Sequence, residues 1–561
     1  MPETGAAVAA RPYERPATRL SVDLALLLFA ALAARLAGLP LATADSWDHA
    51  ARIWAAWRWI DDPFPLTWGV WGPIHYVLMG PVIALFGPSP APTLLHVAMG
   101  ALVPPLVYLF TRREFETRAG ALLAGAAAAL APVTILNSLS ARSETPLAVL
   151  ILVAMLALSH ARTARPLLWA ALAGLAVTLG AGLRYEAWML IPFLAVLLWP
   201  RWRAMALFVM LALLWPAVAM ASNFLVYGDP LYGVTWASRH ELVGMGTGAL
   251  SLAERLDRVG TFAVAFVQGL TVPLALLVGA GVGLCVHERR RATIWLIPGL
   301  GLAALLSAAV LRGSLVPKMN YTETLALFAV PFVAAALDLP PLRRRGRAGI
   351  AALAALLLAA MSFLLVVGTL RRFPELRERS VIVSKVKAES PVPIFKGQTE
   401  FTGLLASIRP VLAGSPEHGL VQDFIGFVPR GHLGLNAHVH PDRIFSFRQE
   451  PACTGREPRG ELPLELRQMP LIGNDPPALE DFLQRYREGV LVLGTGLPAE
   501  AWLGLDGERD KARFQGLDLR LEKLGRITMP MPDELRPGGA LDGERLEVVA
   551  YRYRVVSDAA P

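Results

Sequence analysis

Three acidic residues in this chain stand where a carboxylate could do chemistry at the edge of a membrane: Asp45, Asp48 and Glu144. Each falls in a hydrophilic turn beside a long apolar run, in Thr43-Ala44-Asp45-Ser46-Trp47-Asp48-His49 and in Ser140-Ala141-Arg142-Ser143-Glu144-Thr145-Pro146. A carboxylate held there can take a proton from a hydroxyl or amine, or help hold a hard divalent cation. Cations sit at the same ends of the apolar runs: Arg142, Arg184, Arg312 and Lys318. Guanidinium and ammonium groups stabilise anionic oxygens and suit phosphates. Each residue also has a plainer reading. Asp45 and Asp48 can be loop or capping residues, and Glu144 can simply pair with Arg142. Arg184 can snorkel to headgroups or pair with Glu186.

The elements that must position these groups are membrane helices. The chain has 561 residues, is 54% hydrophobic and only 17% charged, with a mean hydropathy of +0.47. That composition is of an integral membrane protein. Spans are drawn at Leu24–Leu41, Thr93–Phe110, Gly120–Leu136, Pro146–Leu158, Leu167–Leu183, Ala187–Trp199, Ala204–Ala221, Thr261–Val286, Thr293–Leu311, Thr324–Leu337 and Ile350–Leu370. They number about eleven, several shorter than the ~20 residues of an upright span. The stretch Ile74 to Phe86, bracketed by Pro73 and Pro88, is too short to span and reads as an interfacial or re-entrant helix.

Charge orients the bundle. Arg112-Arg113 with Arg118, Arg162 with Arg165, Arg201 with Arg203, Arg289 to Arg291 and Arg343 to Arg345 follow every second span. Positive charge stays inside, so the N-terminus is expected in the cytoplasm and the acidic loops on the outer face of the plasma (inner) membrane. The net charge of +8 is therefore a topology signal and not a sign of nucleic-acid binding. Arg371, Arg372, Arg377 and Arg379 depart from the pattern. Tryptophans at 47, 54, 57, 59, 68 and 71 mark the first outer loop, 42–92, as one with amphipathic helices at headgroup depth. From about residue 371 the composition is that of a soluble domain, read as α/β from a helix at Leu479–Glu488 and strands at Gly489–Gly494 and Leu546–Val555. The expected organisation is a transmembrane catalytic domain, 1–370, and a soluble extracytoplasmic domain, 371–561.

Other motifs lead nowhere. Cys285 and Cys453 are expected on opposite sides, which excludes a disulfide. His438 and His440, with His418 and His432, could approach a zinc set, yet no cysteine or acidic motif completes it and a structural role is the simpler reading. Gly494-Thr495-Gly496 lacks the third glycine of a nucleotide loop.

The order of motifs resembles the GT-C fold glycosyltransferases that use polyprenyl-phosphate sugars, namely the protein-mannosyltransferase and aminoarabinose-transferase-like families. Asp45 opens the first outer loop, Pro73-Ile74-His75-Tyr76 stands for its proline-aromatic stretch, Leu85-Phe86-Gly87 closes it, and Glu144 lies at the outer turn before the fourth span. The resemblance covers roughly Leu24 to Pro200 and runs on weakly to Leu370. Ser46 stands where the family has Glu and His49 where it has an aromatic.

The resemblance implies a polytopic α-helical membrane protein with a C-terminal extracytoplasmic α/β domain. It also implies a bacterial cell-envelope transferase, moving a sugar with inversion from a lipid-phosphate carrier to a lipid, glycan or protein acceptor. Asp45 would be the base or would orient the acceptor, Asp48 is the alternative, and Glu144 is the second acid. Arg142, Arg184, Arg312 and Lys318 would meet the donor phosphate, while His49, His75 and Tyr76 would line the substrate. A divalent metal on Asp45 and Glu144 is conceivable, and the sequence establishes none. The competing class is a transporter or lipid flippase, which places ionisable groups near the midplane in two related halves. No such halves are visible.

Overall fold

The computed structural model describes residues 16–39, most of 52–60, 72–88, 90–239, 242 and 247–339. In the C-terminal region it describes parts of 404–424, then 443–448, 471–472, 476–494, 511–514, 517–530 and 545–558, with isolated positions elsewhere. Asp45, Asp48, His49, the expected span Ile350–Leu370, Cys453 and three of the C-terminal histidines (432, 438 and 440) lie outside the described residues.

The N-terminal part is a helical bundle. Its helices are α1 (Pro16–Gly38), α2 (Ile74–Phe86), α3 (Ala91–Phe115), α4 (Arg118–Leu130), α5 (Pro132–Ser138), α6 (Glu144–Ala161), α7 (Pro166–Ala181) and α8 (Tyr185–Val196). They continue as α9 (Trp202–Ala212), α10 (Leu214–Tyr227), α11 (Tyr232–Arg239), α12 (Leu252–Leu270), α13 (Val272–His287), α14 (Leu296–Arg312), α15 (Glu323–Ala329) and α16 (Val333–Ala336). Among the described residues, five helices or joined helices are long and apolar enough to cross a membrane, and up to seven if each of two bent pairs counts as one span. The shorter apolar helices include α2, whose bounds are those the flanking prolines suggest.

Two expected spans are broken. Gly120–Leu136 is bent by 49° between α4 and α5, where Pro132 opens the second helix. Proline has no N–H to continue the ladder, and Ala131 is extended (ψ 127°). Thr261–Val286 is not one helix at all. The chain turns through 99° at Thr271, a non-glycine residue at φ +79°, and α13 starts afresh with Pro273 in its first turn. Apolar composition runs straight through the turn, so hydropathy alone reads a continuous span.

Arg343 to Arg345 lie outside the described residues, while the alternating arginine clusters up to Arg289–Arg291 gather at one end of the bundle. There the buried Glu114, at the end of α3, accepts from Ser159 and faces Arg162 (3.6 Å) and Arg291 (3.9 Å). Arg113 donates to Ser159 Oγ (2.7 Å), and Arg201 donates to the Arg162 carbonyl (2.7 Å). At the same ends of α1, α3 and α4, buried Asp23 accepts from Arg118 (2.7 and 2.8 Å) and from Tyr108 (2.7 Å). Glu144, which opens α6, is at the other end from Ser159 and Arg162.

Near Glu144 the backbones come very close. Gly72 leads into α2 against the turn after α7, and Ile74 N donates to Gly182 O (3.1 Å). A Cβ on Gly72 would lie 2.0 Å from that carbonyl oxygen. Gly72→Ala is expected to lower stability by about 1–3 kcal/mol, measured as a fall in thermal unfolding midpoint in detergent. An unchanged midpoint would show that α2 is not seated on α7.

The C-terminal region forms a seven-stranded sheet in the order β3-β2-β1-β4-β7-β6-β5, with β1 (Gly419–Phe424), β2 (Ile444–Arg448), β3 (Leu471–Ile472), β4 (Glu488–Gly494), β5 (Lys511–Phe514), β6 (Leu517–Pro530) and β7 (Arg545–Asp558). The first four strands are parallel, and then β7 pairs antiparallel with β4, β6 with β7 and β5 with β6. Strand β4 is buried along Val490-Leu491-Val492-Leu493, as a central parallel strand requires. Helix α17 (Pro476–Arg485) precedes it and buries Leu479, Phe482 and Leu483. The helix, β4 and β7 follow the sequence reading to within a few residues. His418, the one described member of the histidine group, turns Nδ1 to the Val411 carbonyl and Nε2 towards Glu488 (3.6 Å).

Candidate active site at the Glu144 end of the bundle

Glu144 is the first residue of α6, where a helix N-terminus favours negative charge. Arg184 lies in the extended link between α7 and α8, and Glu186 is in the first turn of α8. These three form the centre. Arg184 Nη1 is 2.9 Å from Glu144 Oε1 and donates to Ser143 Oγ at 3.3 Å. Its Nε and Nη2 both donate to Glu186 Oε1, at 2.9 and 2.6 Å. All three guanidinium nitrogens are held, while the second N–H of Nη2 is left over from these contacts, and Tyr321 lies against the guanidinium face at 5.2 Å.

The loop after α14 supplies the opposite wall. Lys318 precedes the 3-10 turn Met319–Thr322, which carries Asn320 and Tyr321 and leads into α15 at Glu323. Asn320 Nδ2 donates to Glu144 Oε1. Asn137, near the end of α5, donates from Nδ2 to Glu323 Oε2 (2.7 Å) and to the Asn320 carbonyl (3.3 Å). Glu144 and Glu323 are 5% and 1% exposed, so this polar centre is enclosed by the apolar bundle.

Two further guanidiniums, Arg142 and Arg52, are buried and add positive charge around Glu144. With buried Arg35 of α1, on which Glu323 acts, four guanidiniums stand against the carboxylates Glu144, Glu186 and Glu323 and leave the centre net positive. Such a site attracts an anion, and its cations are already held in place before one arrives. Glu144 Oε1 is engaged by both Arg184 and Asn320, while Oε2 is buried with no hydrogen-bond partner among the described residues; the guanidiniums around the carboxylate make it an anchor for the cations.

The structure thus brings together Glu144, Arg142 and Arg184. Arg312, which ends α14, is exposed, and Lys318 is partly buried. Among the described residues neither is joined to Glu144 by a hydrogen bond or ion pair. His75 and Tyr76 on α2 are wholly buried and form a packed wall and not an open surface. His96 Nδ1 bonds the Pro92 carbonyl (2.7 Å), so it carries the proton there, and His75 Nε2 donates to His96 Nε2 (2.9 Å). Tyr76 packs with Met79, Ile83 and Ala141 beneath Trp57 and Trp59. Asp45, the other half of the conceivable metal pair, lies outside the described residues. Among the described residues no three His, Cys, Asp or Glu side chains come together as metal ligands.

Sequence reasoning missed Arg52, Asn137, Asn320, Tyr321 and Glu323. A signal for the last three existed: Asn320-Tyr321-Thr322-Glu323 is a polar run set directly against an apolar one. Nothing local marks Asn137, whose partners are remote in sequence.

Comparison with known proteins places this geometry in context. The family model for dolichyl-phosphate-mannose-protein mannosyltransferase matches residues 72–227, a segment that holds Arg142, Glu144, Arg184 and Glu186. No curated protein matches the chain. Among solved structures, ArnT from Cupriavidus metallidurans bound to undecaprenyl phosphate superposes with a TM-score of 0.58 at 14% identity, covering 97% of this chain and 100% of that one. The apo ArnT structure gives 0.57 at 13% identity, covering 98% and 100%. The archaeal oligosaccharyltransferase AglB from Archaeoglobus fulgidus, in complex with an inhibitory peptide and a dolichol-phosphate, gives 0.40 at 13% identity, covering 84% and 69%. The chain has the ArnT fold, a GT-C-type helical bundle followed by a sheet-containing region.

Proposed function

We propose that this protein is a membrane glycosyltransferase that moves a sugar from a polyprenyl-phosphate carrier to an acceptor on the extracytoplasmic face. The observation that carries the reading is the net-positive, enclosed centre in which Arg184, Arg142, Arg52 and Arg35 surround Glu144, Glu186 and Glu323. In such a transfer the bond from the sugar's anomeric carbon to the phosphate oxygen breaks as the acceptor oxygen or nitrogen attacks. The leaving lipid phosphate gains negative charge, and fixed guanidiniums stabilise it most as that charge develops. Attack opposite the phosphate inverts the anomeric centre. The acceptor's proton goes to a carboxylate, for which Asp45 and Asp48 in the loop leading to Arg52 are the candidates. In this reading Glu144 holds Arg184 and leaves the proton to the loop acids.

The alternation of arginine clusters supports the outer face, since those clusters meet at the end away from Glu144. The ArnT fold and the mannosyltransferase segment support the donor class. The test is transfer of label from a synthetic polyprenyl-phosphate sugar in proteoliposomes. Vesicle uptake or flipping of the lipid with no transfer to any acceptor would replace the enzyme reading by the transporter reading.

A variant separates the roles of the acids. Glu144→Gln can still accept from Arg184 and Asn320 but carries no charge. Transfer is expected to fall about 10-fold, with an unchanged pH profile. A loss of ~1,000-fold or more together with the acidic limb of the profile would make Glu144 the base.

A further inference from the structure

We propose that Arg35 is a positioning residue for the Glu144–Arg184 centre, acting through the break between α4 and α5; this rests on the anion-binding role given to that centre above. Arg35 lies on α1 and is wholly buried. Its guanidinium reaches across the bend: Nη1 donates to Ala129 O (3.4 Å) in the last turn of α4, and Nη2 donates to Thr134 O (3.2 Å) in the first turn of α5. Nη1 also donates to Ala31 O on its own helix (3.1 Å).

The break needs such help. Because Pro132 has no N–H, the Ala128 carbonyl loses its regular donor, and Thr134 Oγ1 takes its place at 2.7 Å. Helix α5 has seven residues, too few to hold its own direction, so its aim is set by whatever clamps the bend. A buried arginine is costly unless its charge is met, and here the negative charge of Glu323 acts on it. Room for the guanidinium comes from Gly100 on α3, where a Cβ would lie 2.8 Å from Arg35 Nε and 2.4 Å from Ser138 Cβ.

What the clamp aims is Asn137. That residue stands one turn beyond Thr134, and its Nδ2 holds both Glu323 and the Asn320 carbonyl. Asn320 in turn holds Glu144, and Glu144 holds Arg184. Arg35 is thus tied to the anion-binding fork through an unbroken series of hydrogen bonds and one short helix, without touching the fork itself. A displaced bend would turn Asn137, release Asn320 and let Arg184 swing onto Glu186 alone.

The experiment uses the full chain in detergent or nanodiscs, with undecaprenyl phosphate as the probe. Its dissociation constant is measured per folded molecule for Arg35→Lys, Asn137→Ala and the double variant. Each single change is expected to weaken binding about 10-fold, and the double variant by no more than ~20-fold, since both cut the same series. Unaltered affinity in folded Arg35→Lys, or a double loss near the product of ~100-fold, would overturn the proposal. Should Arg35→Lys fail to fold, Gly100→Ala keeps every polar group and presses on both sides of the clamp, Ser138 of α5 and the Arg35 guanidinium. A several-fold loss of affinity there supports the clamp, and none refutes it. If the wild type binds no polyprenyl phosphate, the functional reading fails instead. The same pair of variants is then judged on unfolding midpoints, where coupling sustains the clamp and simple additivity removes it.

Discussion

Replacing Arg184 by alanine is expected to abolish most of the transfer activity, by about 100- to 1,000-fold, and to weaken the fold as well. The reason is that Arg184 serves two acids at once. Its Nη1 meets Glu144 and its Nε and Nη2 meet Glu186, so its removal leaves two buried carboxylates without their main counter-ion. Breaking a buried pair in this way costs about 3–5 kcal/mol. Stability and chemistry are separated by adding Glu144→Gln to Arg184→Ala. The double variant carries one uncompensated acid fewer and should regain much of the lost thermal stability while remaining inactive. Arg184→Lys keeps the charge but cannot reach both partners, and intermediate activity is expected. The assay is label transfer per folded molecule, set beside unfolding midpoints. Full activity in the stabilised double variant would show that no anion is held by this fork.

The second large effect is expected at the first loop. If Asp45 or Asp48 takes the acceptor's proton, one of Asp45→Asn and Asp48→Asn should lower turnover by ~1,000-fold with little change in donor affinity. The other should change it by less than about 10-fold. Arg52 follows these residues closely in the chain and is buried among the charges around Glu144, which ties their loop to the anion site. Steady-state rates with donor binding measured separately distinguish the two. Turnover left intact in both variants would remove the proposed base.

Much of this was legible in the residues. The prolines around Ile74–Phe86 mark a helix too short to span, and the structure keeps those bounds. Alternating arginine clusters suggest one basic end, and Glu114 gathers them there. Arg184 beside Glu186 was readable as a pair because the two are close in sequence. Less visible was that Glu144 turns to Arg184 and not to Arg142 alone, since that depends on how α6 and α8 are set side by side. The turn at Thr271 was hidden because hydropathy carries no record of backbone direction. Asn137 and Glu323 meet across 186 positions, a pairing that only packing creates.

The sheet has a consequence for biosynthesis. Strand β7 lies between β4 and β6 and joins the parallel half to the antiparallel half, yet it leaves the ribosome after both of its neighbours. Until residue 558 has emerged, β4 has an open edge and β6 lacks a neighbour on one side. The membrane helices can insert and pack while this region is still growing. Their assembly therefore precedes that of the sheet, and premature termination anywhere before β7 would yield a bundle trailing an aggregation-prone tail.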